Sequence, residues 1–526
     1  MNPLPPMLDE LQSETSQARA QQTSLSPSQP LTRIHVACFL GISLIFLYLR
    51  TFLLPGTPLV PRGDQMIFFQ HADHILQGQV AFRDYFATVL PGTDLLYATI
   101  LAVFGTHAWV PQAVTIALGF VIAWTTLWIC SKILRAPLVF LPALLFLVLD
   151  YDSAPDATHH WYSTLLVMLA AGVLLDRVTR LRLILAGALC GVATIFTQTR
   201  GVLGLAALCV YIVFISRGRL RSIEVAKQLA FAVLSFAVLV GTVLAYYIYH
   251  AGISSLNYAL LYFAVKYVPT FPVYTWRAYF IQIPPHQTFS DLPRVIPYLF
   301  IHILVPFVYI ASLIRLARVR DSLERRQWNN VFLITLVGIA LFAAVATGPT
   351  YHRLCMSAPP AIIVCVWMFS GTTRLDRVVR LALWLVGIGS LLYLPVHRQL
   401  HYRAYLDLPA GRTAFDDSVT YEENKWFAQV TRPGESFFTE SQLSFSLRLH
   451  NPTPLDHLTP YEFTRPEQVD AVIRALADQK TPWIYLYPDI YEPHATGDNL
   501  GPFRDYLRAN YHLVKVYPFG QFWQRN

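Results

Sequence analysis

The sequence predicts an α-helical, polytopic membrane protein with a small C-terminal α/β domain on the extracytoplasmic side. Three observations carry that prediction. Of 526 residues, 54% are hydrophobic and only 14% are charged, against roughly 25% charged in a soluble globular chain. Apolar segments follow one another as far as residue 396, and the loops between them alternate between arginine-rich and arginine-poor. After about residue 397 the chain turns polar and mixes helical with strand-like periodicity.

The net charge of +8 would suit a nucleic-acid partner. The basic residues, however, fall in short clusters between apolar spans rather than on one face or tail, so membrane topology accounts for them and no nucleic acid is expected. All six cysteines, Cys38, Cys130, Cys190, Cys209, Cys355 and Cys365, lie in or beside apolar spans. The C-terminal region therefore has neither a disulfide framework nor a zinc ligand set.

Residues 1–33 are rich in Pro, Ser and Gln and almost free of aromatic side chains, which predicts a disordered cytoplasmic tail. Ile34 to Leu54 is long enough to span a bilayer and lacks the short apolar core and cleavage site of a signal peptide, so it stays as an anchor. Further apolar segments lie near 92–106, 108–130, 137–149, 160–175, 181–198, 201–216, 226–249, 295–317, 329–347, 354–371 and 378–396. Lys132/Arg135, Arg177/Arg180/Arg182, Arg217/Arg219/Arg221, the cluster from Arg315 to Arg326, and Arg374/Arg377/Arg380 mark the cytoplasmic loops. Loop 55–91, loop 250–294, turn 348–353 and everything beyond about 397 then fall on the outer face.

Counting all twelve segments as crossings would return the C-terminus to the cytoplasm, so the alternation requires 11 or 13 spans: either Leu95 to Gly105, too short for an ordinary crossing, is juxtamembrane, or a hidden break adds a crossing elsewhere. The membrane portion is 34–396 and the outer α/β domain 397–526. In the latter, Val469, Val472, Ile473 and Leu476 fall at helical spacing, and Trp483 to Tyr487 reads as a buried strand. Leu500 to Asn510 reads as a helix leading into a strand at Leu513 to Phe519.

A carboxylate at the membrane surface between apolar spans needs a physical reason. Asp64, in Arg62-Gly63-Asp64-Gln65, opens a stretch in which Phe68, Ala72, Ile75 and Leu76 fall at helical spacing and Gly78 suits the C′ position. Capping that helix is one reason; catalysis is another.

The order of motifs favours catalysis. Gly63-Asp64-Gln65, Ile75-Leu76-Gln77-Gly78, Phe82-Arg83-Asp84-Tyr85 and Leu90-Pro91-Gly92-Thr93 occur in one outer loop. They are followed by His160-Trp161-Tyr162, Thr197-Gln198 with Gly201, and His352-Arg353 ahead of Pro359-Pro360. In this order and on this side, the sequence resembles the polyprenyl-phosphate-dependent glycosyltransferases of the GT-C fold. Within them it is most similar to bacterial relatives of protein O-mannosyltransferases, aminoarabinose transferases and rhizobial lipopolysaccharide core sugar transferases.

The resemblance implies a multi-pass enzyme of the bacterial cytoplasmic membrane. It would move a hexosyl or pentosyl unit from a polyprenyl-phosphate donor to a glycolipid, lipopolysaccharide or protein acceptor, with inversion. Asp64 would be the general base, and Asp84, further along the loop, could orient the acceptor. Gln65 stands where those families often have a second acid, which leaves a divalent metal open. Candidate cations for the phosphate are Arg83, His160, Lys266, Arg200, His352 and Arg353; for each alone, interfacial snorkelling or a lipid-headgroup contact is the plainer reading. Arg200 and Arg353 lead, because a guanidinium fork at the mouth of a span suits phosphate. Asp150, Asp152 and Asp156, ahead of His159-His160, could bind a metal, with loop solvation the plainer reading. The aromatic loop 250–294, including Tyr262, Tyr267 and Tyr274, could stack on a sugar or form an interfacial belt.

A lipid-linked saccharide flippase is the main rival, and an idle scaffold of the same fold is another. Transporters place ionisable residues at mid-membrane, whereas here they crowd the span ends, and a large polar domain follows the last span. Both features favour the enzyme.

Overall fold

The computed structural model describes residues 32–217, 221–281, 292–439, 441–492 and 498–526. The disordered tail expected over 1–33 lies, through residue 31, outside the described residues. Among the described residues seven helices are long and apolar enough to cross a membrane: Arg33–Thr51, Trp109–Cys130, Gln198–Ser216, Ser222–Ala251, Val295–Arg318, Arg325–Val345 and Arg374–Leu400. Two of them, the first and the last, begin with a capping signal. Thr32 accepts a hydrogen bond from the His35 N–H, and Thr373 and Asp376 form a capping box at the last span.

Two sets of polar contacts mark the two ends of the bundle. At one end Asp176 pairs with Arg326 (2.7 Å) and Lys132 (3.4 Å), and Asn330 bonds the Lys132 carbonyl. At the other end Asp152 pairs with Arg50, the Thr197 hydroxyl donates to the His159 carbonyl, and Gln399 donates to the Phe52 carbonyl. These markers show that shorter segments also run from end to end. Leu138 to Asp150, built of successive 3-10, α and π turns, leads from the Lys132 end to Asp152, and His159–Leu174 and Arg180–Phe196 return and repeat the path. Pro359–Met368 leaves the Arg353 end and reaches Phe369, whose carbonyl accepts from Arg380.

Gly92–Phe104 does not make the passage. A Cβ on Gly92 would meet the Ile195 carbonyl oxygen at 2.8 Å, while just past the helix the Thr106 carbonyl accepts from Arg448 and the Ala108 N–H donates to Ala410. Both of its ends thus lie at the same end of the bundle. Among the described residues the alternation closes at eleven passages, the smaller of the two expected counts.

The C-terminal region packs against the Asp152 end. An antiparallel hairpin, Ala404–Leu408 with Gly411–Phe415, comes first. A four-stranded sheet follows in the order Phe437–Phe438, Trp483–Leu486, Gly520–Arg525, Tyr511–Tyr517, parallel in its first pair and antiparallel in the others. Alternation along Trp483–Leu486 sends Trp483 and Tyr485 to one face, against Phe427 of helix Ser418–Val430. Ile484 and Leu486 face the other way, against Val469 and Leu476 of helix Pro466–Asp478 and Phe503 of helix Gly501–Asn510. The expected helices and strands are therefore present, and the sheet is covered on both faces.

This region is tied to the loop that follows the first span. The Val60 N–H donates to the Ala414 carbonyl (2.8 Å), Arg62 reaches Asp416 at 2.9 Å, and His71 reaches Asp456 at 2.8 Å. Asp64 lies inside that stitched segment.

Candidate active site

Helix Gln65–Leu76 begins at Asp64, as its spacing predicts, and buries Phe68, Phe69 and Ala72. Asp64 occupies the N-cap position but has helical backbone angles and makes no capping hydrogen bond through its side chain. The capping reading of Asp64 is thereby removed. Gly63 has φ +81°, and a Cβ there would sit 2.8 Å from Asp156 Oδ2. Only glycine meets both demands, and the close approach brings Asp156 beside Asp64.

Gln65 fixes the same junction. Its amide nitrogen donates to the Pro111 carbonyl (3.1 Å), and its oxygen accepts from the Thr115 hydroxyl (3.1 Å) and from the Ala157 N–H (3.3 Å). One buried side chain thus ties the start of the loop helix to helix Trp109–Cys130 and to the segment carrying Asp156. Asp156 is largely buried. Burial, and after it the Asp64 carboxylate, push its carboxyl well above the usual range, toward the protonated form.

A cavity of about 910 Å³ opens from Asp64. Its polar wall holds Asp64, His159, His160 and Arg353, and Val240, Leu244, Ile248 and Leu260 give it an apolar wall. Asp456, His457, Phe463 and Gln468 of the C-terminal region close the far side. The Arg353 guanidinium lies over the Tyr274 ring, 4.5 Å from its centroid, and both residues feel the Asp64 charge. Gly348 makes room for that pair, since a Cβ there would meet Tyr274 Cα at 2.8 Å and Arg353 Nη1 at 3.0 Å.

The remaining predicted residues divide. His160 and Arg353 border the cavity, as does Tyr274 from the aromatic loop. His352 is exposed beside the cavity, close enough for Asp64 to act on it electrostatically. Arg200 is not on the cavity wall. It is 1% exposed and sits one layer behind, with Nη1 donating to the His160 carbonyl (2.8 Å), the Met356 carbonyl (2.6 Å) and the Thr164 hydroxyl, while Nε and Nη2 have no hydrogen-bond partner.

Arg83 and Asp84 also lie off the cavity wall. They pair with each other (2.7 Å), and Asp84 accepts from the Val80 N–H (2.7 Å), so this carboxylate closes a turn. The guanidinium and then that N–H hold Asp84 below the ordinary carboxylate range against partial burial. Lys266 likewise pairs locally, with the Tyr262 hydroxyl at 2.7 Å.

Loop solvation of the three acids ahead of His159 is not observed either. Asp150 is buried, Asp152 pairs with Arg50, and Asp156 adjoins Asp64. Among the described residues no three His, Cys, Asp or Glu side chains are grouped to hold a metal ion.

No family model and no curated protein matches the sequence, but solved structures do match the fold. The chain is similar to ArnT from Cupriavidus metallidurans bound to undecaprenyl phosphate, with TM-score 0.58 and 12% identity over 93% of this chain and 97% of that one. The apo state of the same protein gives TM-score 0.57 at 13% identity, again over 93% and 97%. It is also similar to the archaeal oligosaccharyltransferase AglB from Archaeoglobus fulgidus in complex with an inhibitory peptide and a dolichol-phosphate. There the TM-score is 0.51 and the identity 10%, over 93% of this chain and 74% of that one. The chain has the GT-C fold. In this GT-C chain the elements that converge at Asp64 are separated widely in sequence; Asp156 reads from the sequence only as a metal ligand or a solvated loop acid, and His71 is not singled out at all. Asp156 is followed by two histidines and a span, which was its one local signal. His71, by contrast, looked like any polar position on an amphipathic helix.

Proposed function

We propose that this GT-C chain is an inverting membrane glycosyltransferase that uses a polyprenyl-phosphate-linked sugar, with its reaction centre on the extracytoplasmic side. The observation that carries the reading is the meeting, at one cavity, of a carboxylate, an arginine fork and a long apolar wall. Each part matches one demand of the chemistry. The apolar wall suits an isoprenoid chain. Arg353, with His160 beside it, suits the phosphate that leaves, because charge developing on that group is stabilised by donors already in place. Arg200 acts from behind as a positioning residue, holding the His160 and Met356 carbonyls.

In the transfer step the acceptor hydroxyl oxygen attacks the anomeric carbon. The bond from that carbon to the phosphate oxygen breaks, polyprenyl phosphate departs with the electron pair, and Asp64 takes the hydroxyl proton. A base of this kind contributes roughly 10²–10⁴ in rate. Asp156, biased toward its protonated form, can donate a hydrogen bond near Asp64 instead of competing with it as a second anion. The bound lipids of the two solved relatives, undecaprenyl phosphate in ArnT and a dolichol-phosphate in AglB, agree with a polyprenyl-phosphate donor here.

The test is donor-lipid binding in nanodiscs, read by native mass spectrometry with undecaprenyl phosphate. Wild type should bind it. Arg353→Ala should weaken binding by about tenfold or more, as expected for a lost charge-assisted hydrogen bond, and Arg353→Lys should lie between the two because it keeps the charge without the fork. Equal affinity in all three proteins would remove the phosphate from Arg353.

A further inference from the structure

Asp64 borders a second cavity. About 340 Å³ lies between the loop helix and the C-terminal region, lined by Asp64, Thr420, Glu423, Asn424, Tyr485 and Tyr487, with Phe519 among its lining residues. We infer that this smaller cavity binds a neutral saccharide of the acceptor and presents one of its hydroxyls to Asp64. The inference rests on the transferase reading for the role of Asp64, and on this cavity alone for the ligand.

Four features point to a sugar. Asn424 is fully buried; its nitrogen donates to the Thr420 carbonyl (2.8 Å), while its oxygen is buried without a hydrogen-bond partner. A buried acceptor of that kind costs stability unless something donates to it, and a ligand hydroxyl would do so. Helix Ser418–Val430 is built to hold it, since Asp417 caps the helix through the Thr420 N–H at 2.8 Å and places Thr420, Glu423 and Asn424 on one face.

The aromatic groups are the second feature. Tyr485 and Tyr487 have ring centroids 5.4 Å apart, and Tyr487 and Phe519 are 39% and 58% exposed at the mouth. Aromatic faces at the rim of a polar pocket match a sugar ring, which has an apolar face and a hydroxylated edge. The third feature is charge. Two carboxylates and no Lys, Arg or His line this cavity among its described residues, whereas Arg353 and four histidines border the large one. An anionic ligand is therefore disfavoured in the small cavity, and a donor-rich neutral one is favoured.

Position is the fourth feature. A single displacement requires the acceptor oxygen to approach the anomeric carbon from the side opposite the departing phosphate. Arg353 lines the large cavity but not the small one and Asp64 borders both, so an acceptor in the small cavity reaches the base without sharing the cavity that holds the departing phosphate.

The experiment is saturation-transfer NMR on the full-length protein in nanodiscs. The probes are methyl glucopyranoside, methyl mannopyranoside and methyl arabinofuranoside, each offered at millimolar concentration. At least one glycoside should show transfer with wild type. In Asn424→Leu the transfer should fall about fivefold or more, as for the loss of one hydrogen bond, with undecaprenyl phosphate binding unchanged. Tyr487→Ala, at a half-exposed position, should lower it too and guards against misfolding of the buried variant. No transfer with any glycoside, or transfer that neither variant reduces, overturns the saccharide assignment. Failure of the Arg353 variants to weaken undecaprenyl phosphate binding would instead count against the transferase reading, so the two failures are told apart.

Discussion

Gln65 stands where the resembling families often carry a second acid, and its three hydrogen bonds explain why an amide suits this chain. The nitrogen faces the Pro111 carbonyl and the oxygen faces two donors, so a glutamate would set a carboxylate against a carbonyl oxygen. Gln65→Glu should therefore lower stability by about 1–3 kcal/mol and gain no activity, as read by thermal unfolding and by sugar transfer in membranes. A stable and more active Gln65→Glu would mean that the second acid belongs in this loop rather than at Asp156. The same residue shows what the sequence could and could not carry. Asp64 was legible because its signals are local: a preceding glycine, a helix behind it and apolar spans on either side. Asp156 comes to it from a separate loop, and no periodicity reports a partner across such a distance. Arg200 and Arg353 read alike as guanidiniums at span ends, yet packing puts one on the cavity wall and the other behind it.

Helix Gln65–Leu76 is the element on which the site hangs, and its contact with the C-terminal region depends on charge. His71 is buried with Nδ1 3.2 Å from Asp94 Oδ1 and Nε2 2.8 Å from Asp456 Oδ2. Burial opposes its charge, but Asp456 and then Asp94 outweigh burial and hold the imidazole well above its ordinary value. Because the folded value is the higher one, the stabilisation is complete below the unfolded value of about 6.5 and is lost as pH rises through the folded value. Asp456, held low by His71 against burial, sets the acid limit with the opposite sign. Hydrogen exchange should show protection of 65–76 and of the segment around Asp456 falling as pH rises above about 6.5. His71→Gln should remove that dependence and cost about 1.5–3 kcal/mol. Protection in wild type that does not change with pH would refute the charged bridge. Elements of this kind were readable where one period dominated, as in the spans, this helix and the strand Trp483–Leu486. They were harder to read where several geometries share one run, as from Leu138 to Asp150, or where pairing depends on a hairpin, as from Ala404 to Phe415.

At the scale of the whole molecule, the eleven passages put the first loop and the C-terminal region at one end of the bundle and the arginine clusters at the other. In a cysteine-free variant, Gln77→Cys and Asp505→Cys, both at exposed positions, should react with an impermeant maleimide in intact cells, and Arg320→Cys should not. Labelling of the third alone would invert the topology and place Asp64 on the cytoplasmic side. The central claim is that Asp64 is the base of a sugar transfer, and the loop geometry makes this separable from folding, because Asp64 makes no side-chain cap that an asparagine would lose. The most direct measurement is mass spectrometry of envelope glycolipids and glycoproteins from cells lacking the gene, complemented with wild type or with Asp64→Asn. Deletion should remove a sugar-bearing species and raise a polyprenyl-phosphate-linked sugar, and wild type should restore both. Asp64→Asn, present at the same level and still binding undecaprenyl phosphate, should restore transfer at about one hundredth of the wild-type rate or less. Restoration to the wild-type level by Asp64→Asn would contradict the account.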